Sequence, residues 1–365
     1  MKAIHILSTD LTLLGEIACM ESVRLCRKFR EVGEFEMVLP LAHPMADRLQ
    51  RDRILCPAGE PHKAMIIEGI VRNTGSGMLS VTGYTLSGLL KRRVCVPPLQ
   101  SGESYGYDRI TGDAESLMRH YAANNIVAPQ SAARRMDCMI LENENGGRGM
   151  KDVPWSARFE TLDELLTAIG AYCDAGYTVV PDFEKKKLVF TFLPGRDKTG
   201  VNGTARVTFG LHMGNVSGTE EIQSAQQAQN AAIVGGAGED ENRLILSVCP
   251  GEEAGLCRRE IFVDAGSVDD PQEVAYEGTR RLAQRGIVHA IRADVLETPS
   301  CRYGVHWDLG DLVTVVTPHV QMNARITQVQ ESHEAGKPMR LEVVFGDPVG
   351  GIERVIRERT KTTIR

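Results

Sequence analysis

The alternation of apolar and polar residues along the first hundred positions is that of short β-strands. Phe35-Glu36-Met37-Val38-Leu39 alternates and Pro40 follows as a breaker; residues 64–71 form an isoleucine-rich apolar run, and 78–81 a third. Gly33, Gly59, Asn73-Thr74-Gly75-Ser76-Gly77 and Gly83 punctuate these runs as turns. Strands this short and closely spaced predict a small barrel or sandwich. A short helix over 85–92 follows, with Leu86, Leu89 and Leu90 on one side and Lys91-Arg92-Arg93 at its C-terminal end, where the helix dipole favours cations.

Pro97-Pro98 and the polar, glycine-containing stretch 99–108 mark a change of character, and beyond them the pattern turns helical. Asp113 is placed to cap a run carrying Leu117, Met118 and Tyr121 on one face. Thr161-Leu162-Asp163-Glu164 reads as a capping box, followed by Leu165, Leu166, Ile169 and Tyr172 at helical spacing. Two strands, 177–181 and 188–192, flank a charged hairpin connection at 182–187. From Ala205 onward β character returns, interrupted by a helix over 271–285 that starts at Pro271 and stops at Gly286; the last strands fall at 291–296, 312–316, 324–330 and 341–345. The expected class is therefore α+β and β-rich. A barrel-like domain at 1–98, a mixed α/β domain at 99–204, a second barrel-like and discontinuous domain at 205–350 with an inserted helix, and a basic tail at 351–365 are the expected divisions.

A weak internal repeat runs through this pattern. The series FEMVLP, DRILCP, AMIIEGIVRN and MLSVTGY has a counterpart in RADVLE, GDLVTVV, NARITQVQES and RLEVVFG. In each, Ile54 or Val313 lies thirteen residues before Ile67 or Ile326, which lies three before Ile70 or Val329. One β fold used twice accounts for this, and so does chance alignment of strand-like segments.

Composition narrows the picture. With 365 residues, 42% hydrophobic and 25% charged, the chain has the usage of an ordinary globular protein of two or three domains. The N-terminus lacks the look of a signal peptide, and no stretch approaches the roughly 20 apolar residues of a membrane span, so synthesis in the cytoplasm is expected. Nine scattered cysteines with no CxxC argue against a disulfide framework and against structural zinc, and for free thiols acting as small hydrophobes. A net charge of -6 with dispersed basic residues gives no general nucleic-acid surface.

Three constellations resemble chemistry and are better read as structure. Val234-Gly235-Gly236-Ala237-Gly238 has the glycines of a dinucleotide loop, but Glu239-Asp240-Glu241 would repel a pyrophosphate, so a glycine turn between strands is expected. Trp307-Asp308-Leu309-Gly310-Asp311 has too few carboxylates for calcium and reads as a tight turn entering the strand at 312–316, with the aspartates bonding turn amides and Gly310 at positive φ. No cysteine sits in a local nucleophile signature, and the polar, glycine-rich 143–149 reads as a loop, with contact to a neighbouring subunit as the alternative.

Taken in order along the chain, these segments resemble the baseplate hub, or tail-associated, family of siphophages and related prophages. The resemblance rests on GEFEMVLP at 33–40, AMIIE at 64–68, VTGYTL at 81–86, LLKRRV at 89–94, Arg259-Glu260, YGVHWDLGDLV at 303–313, Ala324-Arg325-Ile326 and Val344-Phe345-Gly346. Its structural signature falls on Phe35, Glu68, Gly83, Tyr84, Arg93, Trp307, Asp308, Gly310, Asp311, Arg325, Phe345 and Gly346. No single motif is specific; the colinear order carries the likeness. It implies two related tail-tube domains with an α/β domain between them, similar to the trimeric hub of contractile phages, where two barrels per chain make a pseudo-sixfold ring of three subunits. It also implies a homotrimer contacting a distal tail or tail-tube protein, the tape measure protein and fibre or spike proteins, assembled in the host cytoplasm and carried at the virion tail tip. No catalytic, cofactor or metal residues are expected. Longer relatives append a peptidoglycan-cleaving domain, and residues 347–365 are too few for one. The rival readings are a tail-associated peptidoglycan hydrolase and a carbohydrate-binding module; the latter is disfavoured by 5% aromatic content with Trp155 and Trp307 the only tryptophans.

Overall fold

A computed structural model of the chain describes residues 2–99, 106–143, 147–266 and 268–346. The polar stretch at 100–105, the centre of the glycine-rich loop at 144–146 and the basic tail at 351–365 lie outside the described residues. The chain forms two compact units: Met1–Gly218 with Ala293–Val343, and Thr219–Arg292 with Val344–Arg365.

Strands β1 (Ile4–Leu7), β2 (Leu13–Ile17), β3 (Ser22–Lys28), β4 (Glu34–Pro40), β5 (Ile54–Pro57), β6 (Met65–Asn73) and β7 (Met78–Thr85) come first. Then follow β8 (Asp108–Gly112), helix α1 (Ala114–Ala122), β9 (Met139–Leu141), β10 (Val153–Ala157), helix α2 (Leu162–Cys173), β11 (Gly176–Asp182), β12 (Lys187–Leu193) and β13 (Thr208–Gly210). After β14 (Val216–Ser224) come β15 (Ala231–Gly235), β16 (Ile245–Val248), β17 (Glu260–Asp264), helix α3 (Pro271–Ala283) and β18 (Val288–Val295). The described chain closes with β19 (Leu312–Val316), β20 (Gln321–Glu334) and β21 (Arg340–Gly346).

Alternation explains the β elements. Phe35, Met37 and Leu39 of β4 are buried and their neighbours are not, so one face of the strand covers the core. Pro40, rather than following the strand, is its last residue and pairs with Met78. The 85–92 segment forms a 3-10 helix, Leu86–Arg92, which buries Leu86, Leu89 and Leu90. Asp113 caps α1 by accepting from the Ser116 amide at 3.0 Å.

The capping box expected at Thr161 does not form: no side-chain hydrogen bond caps α2. The Thr161 backbone instead bridges to Val94, and the helix start is held by the Leu162 amide donating to Arg93 O at 2.8 Å and by Lys91 on Asp163 at 2.9 Å. One cluster of buried side chains runs from Leu7, Ile54 and Leu90 through Tyr121, Leu166 and Tyr177 to Phe192.

Within the first unit the strands are hydrogen-bonded in the order β20-β3-β4-β7-β6-β5-β1-β2, with β19 pairing both β20 and β13. None of these sheets closes on itself among the described residues, so the expected barrels are open sheets here. The two halves of the chain share one strand order: β3-β4-β7-β6-β5 in the first and β14-β18-β21-β20-β19 in the second.

The correspondence reaches single bonds. Ile67 donates to Arg53 O (3.0 Å) and accepts from the Asp52 amide (2.9 Å); Ile326 donates to Asp311 O (2.9 Å) and accepts from the Gly310 amide (2.8 Å). Asp52 (φ 65) and Gly310 (φ 87) are both left-handed at this turn. The pairing of Ile54 with Ile66 matches that of Leu312 with Arg325, so Leu312 rather than Val313 occupies the place of Ile54. The second copy has one more residue between its turn and its isoleucine, which is why equal spacing misplaces the match by one.

The second unit contains the three-stranded sheet β16-β15-β17. Helix α3 covers it, with Val274 and Leu282 sharing a core with Ala232, Val234 and Val263. Asp270 accepts from the Gln272 amide at 2.9 Å as the cap, and Pro271 stands in the first turn, where its missing N–H costs nothing. After Gly235 the chain turns into β16, antiparallel to β15, so the glycine run meets only a single 3-10 turn at Asp240–Asn242 and no α-helix N-terminus.

Candidate functional site

The residues of Trp307-Asp308-Leu309-Gly310-Asp311 converge with β3 and β20 on one buried polar cluster in the first unit. The turn has the geometry its sequence predicts. Asp308 Oδ1 accepts from the Leu309 amide at 2.6 Å, Asp311 Oδ2 accepts from the Asp308 amide at 2.9 Å, and Gly310 has φ 87. A Cβ at Gly310 would also lie 2.4 Å from the Phe29 ring, so conformation and space both demand glycine. Asp311, almost wholly buried, takes a bidentate pair from Arg196 at 2.7 and 2.6 Å. Arg325 Nη1 donates to Gly310 O at 2.6 Å, and the same guanidinium pairs with Asp174, the left-handed residue that ends α2.

Trp307 is fully buried, edge-on to Phe209 at 5.2 Å between centroids and tilted against Tyr303 at 4.9 Å. Arg27 of β3 reaches the Tyr303 hydroxyl at 2.7 Å and Asp308 at 3.1 Å. Lys63 sits over the Tyr303 ring at 4.9 Å and donates to Glu331 of β20 at 2.8 Å and to Glu60 at 3.1 Å. Burial works against the Arg27 charge, but Tyr303 and Asp308 more than offset it and hold the guanidinium above its ordinary range. Burial raises Glu331, with Lys63 opposing, and raises the Tyr303 phenol, with Arg27 opposing. The site couples strands from opposite ends of the sequence: β20 pairs antiparallel with β3 from Gln328–Lys28 to Glu334–Ser22.

His62 lies against this cluster. Burial, with the nearby Arg27 charge, drives its imidazole down to about 4. A histidine depressed in the folded state binds protons more readily unfolded, so its contribution is complete above about 6.5 and is lost as pH falls towards 4. The groups facing it are Arg27 and Lys63, which disfavour its proton, and Asp308 and Glu60, which favour it. After discounting for partial exposure, the loss is expected to be about 1–2 kcal/mol. Urea denaturation across this window should show His62→Gln flattening the decline; an unchanged slope would remove His62 as its source.

The other signature residues are spread over the fold. Phe35 is in the core beneath β4, and Gly83 of β7 lets β6 approach, since a Cβ there would lie 2.0 Å from Ile66 O. Glu68 pairs with Arg92 at 2.5 Å, Lys91 lies over the Tyr84 ring at 5.7 Å, and Arg93 Nε donates to Arg134 O at 2.7 Å. Phe345 and Gly346 end β21 in the second unit, Phe345 fully buried and Gly346 at φ 85.

Sequence reasoning missed Arg27, Lys63 and Glu331. The available signal was a charge on an apolar parity: Val23 and Leu25 precede Arg27, and Val329 precedes Glu331, each two residues apart on the buried face. Among the described residues no group of three or more His, Cys, Asp or Glu could hold a metal ion, and no helix is long and apolar enough to cross a membrane. Burial pushes the Cys56 and Cys173 thiols up to about 11, opposite to the shift a thiolate nucleophile needs.

A profile of the family described as "Siphovirus ReqiPepy6 Gp37-like protein" matches residues 3–347. The chain belongs to this Gp37-like family. Solved structures share the fold of this Gp37-like chain along nearly its whole length. The 43 kDa tail protein of prophage MuSo2 from Shewanella oneidensis is 15% identical, with 95% of this chain and 98% of that chain covered and a TM-score of 0.58. A tail protein from Neisseria meningitidis MC58 is also 15% identical, with 95% and 96% covered and a TM-score of 0.56. Prophage tail protein gp18 from Listeria monocytogenes EGD-e is 10% identical, with 100% of each chain covered and a TM-score of 0.52. A search of curated proteins found no match to the Gp37-like sequence.

Proposed function

We propose that the protein is a structural baseplate hub subunit, forming a ring that joins a tail tube to the distal fibre or spike apparatus. The observation that carries this reading is the strand order that recurs in the two halves of one chain, joined through β20 and β3. A tube of sixfold symmetry is matched by three chains when each supplies two equivalent units, so the functional form is a homotrimer. On this reading residues 1–98 and 205–350 are the two tube domains, the second discontinuous, 99–204 stand between them and 351–365 form a basic tail. The parallel pairing of β13 with β19 accords with a discontinuous second domain.

The partners are further copies of the chain, a distal tail or tail-tube protein, the tape measure protein, and fibre or spike proteins. Assembly takes place in the host cytoplasm and the product sits at the virion tail tip. The role is contact rather than catalysis, and the buried cluster at Arg27, Lys63 and Glu331 serves it by locking the two repeats in one register. Interfaces of a specific ring bury at least about 1,000 Å² each. Light scattering and electron microscopy of the full chain, alone at high concentration and mixed with the distal tail protein of its own genome, should give three chains per ring. A stable dimer, or six copies in one ring, would reject two units per chain.

A further inference from the structure

The repeated strand order leaves an edge in the first copy where the second copy has a partner. In the second copy, the ladder between β20 and β19 ends at Ile326, and from there β20 pairs with β3 along Gln328–Lys28 to Glu334–Ser22. In the first copy, the bonds between β6 and the β5 segment end at the equivalent Ile67, and no strand follows along that side from Glu68 to Asn73 among the described residues.

Both strands are shaped alike at this point. Ile326 and Thr327 are consecutive yet both bond on the same side, Ile326 to Gly310 and Asp311 and Thr327 O to the Phe29 amide at 2.9 Å. That is the mark of a bulge, and β6 shifts register at the matching place, between Ile67 and Gly69. Burial records the difference in covering. Val329, Gln330 and Glu331 are buried, half-buried and buried beneath the junction with β3, whereas their counterparts Ile70, Val71 and Arg72 are half-buried, 62% exposed and open to solvent. At the far end of the strand order stands β14, in the place that β3 holds in the first copy, and its one strand neighbour among the described residues is β18.

We infer that the outer edge of β6, Glu68 to Asn73, pairs antiparallel with the outer edge of β14 from a second copy of the chain, repeating between chains the β20–β3 junction within one. The inference rests on the ring reading above and names the strands that close it. An open edge with an exposed valine is a liability unless another strand covers it. The internal junction supplies the template. Its Phe29–Thr327 bond sets the hydrogen-bonded positions, which recur at every second residue as Val329 and Glu331, so the outward amides of β6 are those of Ile70 and Arg72.

Hydrogen exchange read by mass spectrometry tests this on the full chain, comparing the 40.1 kDa single chain with the ring formed at high concentration or with the distal tail protein. Exchange at 68–73 and 216–224 should slow on assembly. Arg72→Pro, which removes one outward amide at an exposed position, should keep the wild-type melting temperature and lose the ring. A ring whose 68–73 amides exchange as fast as in the single chain overturns the pairing while leaving the hub reading standing. A chain that forms no ring under either condition overturns both.

Discussion

Truncation of Trp307 to alanine is expected to cost about 3–5 kcal/mol of folding stability, the range for emptying the site of a large buried ring. The ring is wholly enclosed, its neighbours Phe209 and Tyr303 approach from two directions, and the turn that follows is held by Asp308 and Asp311. Because Tyr303 also receives Arg27 and Lys63, the cavity would loosen the polar cluster as well as the apolar contacts. Urea denaturation should show the midpoint falling with an unchanged slope. Trp307→Phe should recover much of the loss by refilling part of the volume. An unaltered midpoint accompanied by lost sugar binding would instead favour a carbohydrate-binding module.

Lys63→Met should be destabilising by a similar amount, about 3–5 kcal/mol, because it leaves Glu331 ionised and buried without its cation. Lys63 and Glu331 are 6% and 7% exposed and 2.8 Å apart, and the carboxyl is already held above its ordinary value by burial. The double variant Lys63→Met with Glu331→Met removes both charges and should recover most of the loss, since the pair exchanges Coulomb attraction for desolvation at little net gain. The single variant's deficit should also shrink as pH falls, because a raised carboxyl takes up its proton sooner in the folded state and that proton removes the unpaired charge. A full double-mutant cycle by urea denaturation checks both statements. A single variant as stable as wild type would show that the pair does not hold the β3–β20 junction.

Local reading of the sequence reached far where local physics is decisive. Strands whose alternation is uninterrupted, such as β4, β11 and β12, are found where the pattern places them, and the N-cap at Asp113 and the proline start of α3 follow from backbone chemistry within one turn. The turn at Trp307-Asp308-Leu309-Gly310-Asp311 was equally legible, because its aspartates bond amides one and three residues away. Strands β1, β2 and β3 were not foreseen. His5, Glu16, Arg24 and Arg27 interrupt their apolar runs, and these strands form because neighbours in the sheet complete their hydrogen bonds.

The capping box at Thr161 failed for the complementary reason: a tertiary bridge to Val94 took the residue that local chemistry had assigned to the helix. The repeat lay between these cases. Sequence alone carried the equivalence of Ile67 with Ile326, which both stand at 0% exposure at the same bulged turn, but not the one-residue difference beside it. What only the tertiary structure decided is which charges meet. Arg27 and Asp308 lie 281 positions apart, and Lys63 and Glu331 are separated by 268. A charge on the buried side of a strand announces that it needs a partner, but the partner is chosen by strand order and register, which depend on the whole sheet and not on any segment of the chain.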